Sequence, residues 1–200
     1  MKQSIWDSFA PIYELAMCSP KKQYELLYEK IRAAVSGKCV LELATGPGLI
    51  AKNIAESAAA VVATDFSEKM ILQAKKNKNR PRVTFEVADA TNLRYEENAF
   101  DAVIIANALH IMPNPQKALS EINRVLKADG ILIAPNFVGH SGGKKPNLWA
   151  KILKAVGVKF EHEWTESSYT AFLEENGWSV RSLCLISGKI DMLYTECVRK

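Results

Sequence analysis

Short apolar runs rich in Val, Ile and Ala alternate along most of the chain with stretches in which apolar side chains recur every three or four positions. Continuous apolar runs predict strands buried on both faces, and the intervening periodicity predicts helices that cross back over a sheet; alternation of the two is the mark of parallel βαβ units. The predicted strands are Cys39–Leu43, Val61–Thr64, Val83–Val87, Ala102–Ala106 and Ile131–Pro135, each followed by polar or turn residues. Leu49–Ser57, Ser67–Asn77 and Pro115–Lys127 read as crossover helices, with Ser67 as an N-cap and Gly130 as a stop signal. Two further helices precede the first strand. After Pro135 the pattern changes to a glycine-lysine turn, a basic helical stretch and a helix over Glu166–Asn176. Two strand-like runs, Ser179–Ser187 and Ile190–Val198, follow around Gly188-Lys189 and predict a terminal hairpin with an antiparallel strand. With no repeat and no low-complexity linker, a single doubly wound α/β domain is expected, its ligand crevice at the carboxyl ends of the strands.

At 200 residues, with 48% hydrophobic and 24% charged side chains, the chain has enough apolar surface for a sizeable core. No segment approaches the roughly 18 apolar residues of a membrane span, and MKQSIWDSFAPIYELAM lacks a cleavable leader, so a cytoplasmic location is expected. The formal charge is +4, densest in KKNKNRPR from Lys75 to Arg82, which reads as a solvated helix end favoured by the dipole rather than a nucleic-acid patch. Cys18, Cys39, Cys184 and Cys197 are dispersed without a CxxC pair, which argues against zinc or disulfides; the last three fall in strand-like runs and are expected to be small buried hydrophobes.

VLELATGPGLIAKNIA carries the strongest chemical signal: an apolar strand ends in an acid, passes through Gly46 and Gly48, and enters a helix. Glycines there let backbone approach a ligand closely, and the helix start presents unpaired N–H groups. Asp65 ends the next strand, where a carboxylate can accept from both hydroxyls of a ribose or cap the helix near Ser67. Asp89 ends the third, where it can accept from the amino group of an adenine.

With those residues in view, the region from Gly37 to Phe137 resembles the cofactor-binding core of the class I S-adenosylmethionine-dependent methyltransferases. VLELATGPG, VVATDFSEKM, VADATNLRYEENAFD, VIIANALHIM and EINRVLKADGILI follow the order of that family's motifs and are most similar to quinone-biosynthesis, small-molecule and some phospholipid methyltransferases. The resemblance implies a Rossmann-like, mostly parallel seven-stranded sheet ending in an antiparallel hairpin strand. It divides the chain into N-terminal helices (1–36), a cofactor-binding core (37–137), a substrate cap and helix (138–178) and the hairpin (179–198). By the same resemblance S-adenosylmethionine is the cofactor and S-adenosylhomocysteine the product. Glu42, Ala44, Gly46 and Gly48 would line its methionine portion, Asp65 its ribose, Phe66 and Met70 the two faces of its adenine, and Asp89 with the Ala90 backbone the adenine's amino edge. Asn107 and Ala108 would border the methionine, and Tyr13 is a further contact from the amino terminus. Ala44 stands where the family commonly has glycine. Core packing is the competing reading for Phe66 and Met70, turn formation for Asn107, and a satisfied buried acid for Glu42.

Methyl transfer from a sulfonium needs an aligned nucleophile and a dry site, with a base where the acceptor must lose a proton; no metal is required. His110 in NALH stands just beyond the fourth strand and is the candidate base, with packing beneath the substrate as the alternative. His140 and His162 are expected at the surface rather than in a metal site. NALH replaces the Asn/Asp-Pro-Pro-aromatic motif of many enzymes that methylate exocyclic base amines or a protein glutamine, which disfavours those substrates and leaves ribose, wobble-base and small-molecule methylation open; nucleic acid is not the expected partner. The acceptor is expected to be small or lipid-like, enclosed by Trp6, Phe9, Ile12 and Tyr13 together with a later helix. That helix is basic and amphipathic over 144–159, with Trp149, Ile152, Leu153 and Val156 on one face and Lys144, Lys145, Lys151, Lys154 and Lys159 around them. It reads either as a cap packed on the sheet or as a lid in peripheral contact with an anionic membrane. Two rival functions are a nicotinamide-dependent oxidoreductase, because Gly46 to Ala51 fits G-x-G-x-x-A, and a nucleotide-binding module without turnover.

Overall fold

The computed structural model describes residues 21–76, 80–139, 161–188 and 190–200. Tyr13, the first of the two expected N-terminal helices, His140 and the segment 144–159 lie outside them. In chain order the elements are α1 (Lys21–Ala34), β1 (Cys39–Leu43), α2 (Leu49–Ile54), β2 (Ala60–Asp65), α3 (Glu68–Lys76), β3 (Val83–Val87) and β4 (Phe100–Ile105). A single 3-10 turn at Leu109–Ile111 leads to α4 (Pro115–Val125), β5 (Leu126–Ile133), β6 (Asn136–Val138), α5 (Glu166–Glu175), β7 (Trp178–Ile186) and β8 (Asp191–Arg199).

The sheet runs β3-β2-β1-β4-β5-β8, parallel as far as β5, with β8 antiparallel to β5 and β7 antiparallel to β8. β6 extends the register of β5 against β8, pairing Asn136 with Leu193 as Leu132 pairs with Cys197. Pro135 lies between the two segments and has no N–H to give the ladder. β5 and β6 are therefore one interrupted strand, and the expected seven-stranded mixed sheet is present.

Alternate side chains of the central strands enter two cores, as the two-residue period of a strand requires. Leu41, Leu43, Val103 and Ile105 pack with Leu119 and Ile122 of α4 and Tyr169 and Leu173 of α5. Val40, Ala102 and Ile104 pack on the other face with Leu27 and Ile31 of α1 and Ile50 and Ile54 of α2. Ser67 caps α3, its Oγ accepting from Met70 N at 3.2 Å, and Asn114 caps α4 ahead of Pro115 by accepting from Lys117 N. Gln23 ties α1 to the hairpin end, donating to the carbonyls of Ile186 and Ile190.

Two local expectations are corrected. α4 stops at Val125, and Leu126 already belongs to β5, which bulges before Ile131 pairs with Ala102. Arg199 of β8 donates to the carbonyls of Asn123 and Leu126, so a residue distant in sequence satisfies the helix end. Of the cysteines in strands only Cys197 is buried; Cys39 opens β1 and is exposed, and Cys184 sits on the edge strand β7. The basic run behaves as a helix end, with Lys75 and Lys76 in the last turn of α3 and Arg82 donating to the carbonyls of Glu56 and Ala58.

Gly48 closes the turn from β1 into α2 at φ 77°, and a Cβ there would come within 2.6 Å of the Phe85 ring. Left-handed backbone and overpacking act together, so Gly48→Ala is expected to cost about 2–4 kcal/mol in urea unfolding, with Phe85→Leu in the same chain restoring part of the loss. An unchanged midpoint in the single variant contradicts this packing role.

Candidate functional site

At the carboxyl ends of β1, β2, β3 and β4 the chain encloses a cavity of about 270 Å³, near the lower end of small-molecule sites. Its wall includes Ala44, Gly46, Asp65, Phe66, Met70, Asp89, Ala90, Asn107 and Ala108. The structure thus brings together nine of the residues singled out from sequence. Gly48 is not among the wall residues, and its lack of a side chain makes room for the Phe85 ring. Glu42 lies in a smaller adjoining recess of about 30 Å³, with Tyr24, Thr45 and Asn107 also on its wall.

Backbone geometry opens the cavity. Ala44 and Asn107, at the ends of β1 and β4, adopt left-handed φ angles of 54° and 51°, and Gly46 follows at 55°. For alanine this conformation costs on the order of 1 kcal/mol, so the missing glycine at position 44 is tolerated rather than avoided. Asp65 then joins two turns: Oδ2 accepts from Gly46 N and Oδ1 from Ser67 N, both at 2.8 Å. These two bonds aim Asp65 at the cavity, on whose wall it lies.

Asp89 is positioned by its own loop. Its Oδ1 accepts from the N–H and the hydroxyl of Thr91, each at 2.8 Å, and the residue lies on the cavity wall. The loop is anchored to α4, where Glu121 accepts from Leu93 N and Arg124 donates to the carbonyls of Leu93 and Tyr95. The Arg124 bond holds the Glu121 carboxyl below its ordinary range. Thr91, Ile111, Met112, Pro113 and Asn114 complete the wall. Sequence reasoning passed over them because they carry no motif; proximity comes from the turn after β4, whose position depends on tertiary packing.

Glu42 is fully buried, and desolvation raises its pKa to about 8; the repulsion of Asp65 adds to this, while Thr45, the Ala51 amide and Lys52 offset part of it. Its Oε2, Thr45 Oγ1 and Asn107 Oδ1 are buried without hydrogen-bond partners. Three acceptors around one recess fit a group rich in donors, while the larger cavity fits a nucleoside: a carboxylate for a ribose at Asp65, an acceptor for an exocyclic amine at Asp89, and apolar surface from Phe66 and Met70 between them. An amino acid joined to adenosine meets both requirements.

His110 stands apart from the cavity wall. It is 5% exposed and its Nδ1 lies 2.9 Å from Asn136 Oδ1, which as an amide oxygen accepts and so places the proton on Nδ1. Burial depresses its pKa to about 4, the Asn136 bond opposes the shift, and His162 adds to it. His162 is not a plain surface residue: its ring stacks on Trp164 at 5.1 Å and its N–H donates to the carbonyl of His110. Among the described residues no cluster suited to a metal ion is present.

The chain is similar to known methyltransferases in sequence and in fold. The methyltransferase-domain family model matches residues 41–134. A demethylmenaquinone methyltransferase of Renibacterium salmoninarum is 35% identical over 139 residues, 67% of this chain and 57% of that protein. The ubiquinone/menaquinone biosynthesis C-methyltransferase of Bdellovibrio bacteriovorus is 30% identical over 193 residues, 85% of this chain and 82% of that protein. In fold, the chain superposes with a TM-score of 0.83 and 16% identity on the methyltransferase solved with the Haloferax volcanii Trm112 activator, covering 100% of this chain and 97% of that one. The fold and crevice define a class I S-adenosylmethionine-dependent methyltransferase, and within that class the chain belongs to the quinone-biosynthesis group. It spans about half the length of several relatives, such as 57% and 43% of two demethylmenaquinone methyltransferases. Family membership sets aside the nicotinamide oxidoreductase reading of the glycine turn.

Because Asp65 clamps two turns at the cavity wall, Asp65→Ala is expected to lower the stability of the ligand-free protein by about 2 kcal/mol, the scale of bonds to a charged acceptor. Thermal unfolding checks this; unchanged stability means the two backbone bonds are dispensable. His110 carries a second expectation. Its folded pKa is depressed below the unfolded value, so its contribution is complete above pH 6.5 and is lost as pH falls toward 4, by about 3 kcal/mol. Glu42, with its pKa raised, acts with the opposite sign, losing its contribution as pH rises from 4.5 through about 8. The difference between wild type and His110→Gln in urea midpoints at pH 7 and pH 4.5 isolates the histidine; a pH-independent difference contradicts its burial as the neutral form.

Proposed function

We propose that this chain transfers a methyl group from S-adenosylmethionine to a small apolar ring acceptor of the demethylated quinol class. The alignment over 193 residues with the Bdellovibrio C-methyltransferase carries the reading, because it extends beyond the cofactor-binding core into both ends of the chain. The wall formed by Ile111, Met112 and Pro113 supports it, since an apolar rim next to the cofactor cavity favours a ring with little polar surface and excludes water.

When bound, the cofactor supplies an electrophilic methyl on a sulfonium. The chain's residues hold and aim: Asp65 and Asp89 take the nucleoside, and the left-handed turns at Ala44 and Asn107 keep side chains out of the transfer path. His110 is best read as a positioning residue, since its Nδ1–H is engaged by Asn136, its ring is buried off the wall, and it braces the turn that carries Ile111 and Met112. The transfer then draws on proximity and orientation more than on general-base chemistry. The basic amphipathic pattern at 144–159 supports delivery of the acceptor from an anionic surface.

Labelled S-adenosylmethionine offered with quinol, amine, thiol, phospholipid and RNA pools is expected to label quinols, faster when they are presented in anionic than in neutral vesicles. Label appearing only in RNA or amines overturns the acceptor. With a quinol in hand, His110→Ala is expected to lower kcat less than about tenfold and to keep the shape of the pH profile; a loss of about 10² with one limb of that profile removed makes His110 the base.

A further inference from the structure

Ile111 and Met112 reach the cavity wall from the single 3-10 turn after β4, which is closed by Ile111 N donating to the carbonyl of Ala108 at 3.1 Å and Met112 N to that of Leu109 at 3.2 Å. One such turn has weak bonds of its own, so its position is set by what it packs against. On one side β6 holds it: His110 Nδ1 donates to Asn136 Oδ1, and the His110 ring meets that of Phe137 edge-on at 6.0 Å. On the other side the irregular segment 162–165 crosses the turn as a strap. His162 N donates to the carbonyl of His110 at 3.1 Å, and the carbonyl of Trp164 accepts from Gly139 N, just past β6, at 2.8 Å.

The strap is fixed by the Trp164 side chain. Its indole stacks on His162 at 5.1 Å and 6°, stacks on Phe172 at 4.7 Å and 30°, and leans on Tyr169 at 5.1 Å. Phe172 and Tyr169 belong to α5, and Tyr169 is anchored in turn by its hydroxyl, which donates to the carbonyl of Ala134 at 2.8 Å. Nε2 of His162 is buried without a partner, so the stack, and no bond from that nitrogen, orients the imidazole. The residue after Trp164 is the cap of α5: Thr165 Oγ1 accepts from Ser168 N, and Ser168 Oγ accepts from Thr165 N. Trp164 itself is not on the cavity wall; it packs against the core that α4 and α5 share. Aromatic pairs favour defined stacked or edge geometries, so the indole sets the direction of the strap as well as its distance from α5.

We propose that Trp164 is a positioning residue for the methyl acceptor, acting through the backbone bond from His162 to His110 on the turn that carries Ile111 and Met112. The proposal rests on the reading of that wall as the acceptor's side of the cavity and deepens it. Without the indole, the strap keeps its bond to the turn but loses the contacts that hold it against α5, and the wall loses its fixed place. The nucleoside side is held by other bonds, those of Asp65 to Gly46 and Ser67 and those of Asp89 to Thr91, so cofactor binding does not depend on Trp164. An apolar wall touches a ring acceptor equally before and during transfer. Its contribution is uniform binding, and its loss is read in KM rather than in kcat.

The test uses the full chain with labelled S-adenosylmethionine and a short-prenyl demethylated 1,4-naphthoquinol as acceptor. Trp164→Ala is expected to raise the KM for the quinol about tenfold, with kcat lowered less than about threefold and the affinity for S-adenosylhomocysteine kept within about twofold. Trp164→Leu keeps apolar volume without the stack and gives the same KM shift should the alanine variant fail to fold; Trp164→Phe keeps an aromatic ring and is expected to recover most of the loss. Leu173→Ala truncates a buried side chain of α5 outside the stack, and is expected to lower the unfolding midpoint without moving KM. Hydrogen exchange in the ligand-free protein reads the brace with no acceptor present. The amides of Ile111, Met112, Gly139 and His162 should exchange at least about tenfold faster in Trp164→Ala or Trp164→Leu, while those of Gly46 and Ser67 keep their wild-type rates. Exchange unchanged at Ile111 and Met112, or raised equally at Gly46 and Ser67, overturns the proposal, as does a KM that stays at the wild-type value. A wild type that labels no quinol overturns the acceptor class instead, and exchange confined to the turn and strap then still supports the brace.

Discussion

The crevice depends on one carboxylate. Asp65 accepts from Gly46 on one side and from Ser67 on the other, and so locks the turn after β1 to the turn after β2. Without that clamp the two turns would be separate loops at the edge of a parallel sheet. With it, the backbone of Gly46, the start of α3 and the side chains of Phe66 and Met70 share one frame, and the cavity has a fixed width. The same group faces the cavity, so the stability of the two turns and the shape of the site are coupled at a single side chain.

Around this clamp the chain accepts several local costs. Ala44 and Asn107 hold left-handed backbone, Glu42 is buried as a neutral acid, and three acceptor atoms have no partner. Each cost is of order a kcal/mol or more, and all lie on one edge of the sheet. Away from that edge the central strands pack alternate apolar side chains into two cores against helices on both sides. Rigid cores hold the unfavourable edge in place, which is the arrangement expected where a ligand supplies the missing interactions.

Much of this was legible in the sequence because periodicity is a local property. β1 and β3 begin and end where their apolar runs do, and the acids at positions 65 and 89 follow from strand ends facing one crevice. What was missed depends on contacts between distant segments. The helix was read through to Lys127, yet Arg199 takes the carbonyls of Asn123 and Leu126 and β5 starts at once. At Gly48 the Phe85 ring from β3 occupies the space a side chain would need, a contact that no local pattern announces. Tyr24 carried no signal at all, since only the docking of α1 brings it to Asn107. His110 was rightly placed past β4 by the motif, but its orientation toward Asn136 of β6 is a tertiary fact.

A crystal structure of the protein with S-adenosylhomocysteine tests the account most directly. The account predicts ribose hydroxyls within hydrogen-bond distance of Asp65, the adenine amine at Asp89, and the amino-acid nitrogen in the recess between Glu42, Thr45 and Asn107. Ligand bound elsewhere, or bound in the crevice with its amino group turned away from Glu42 and a water left in the recess, contradicts it.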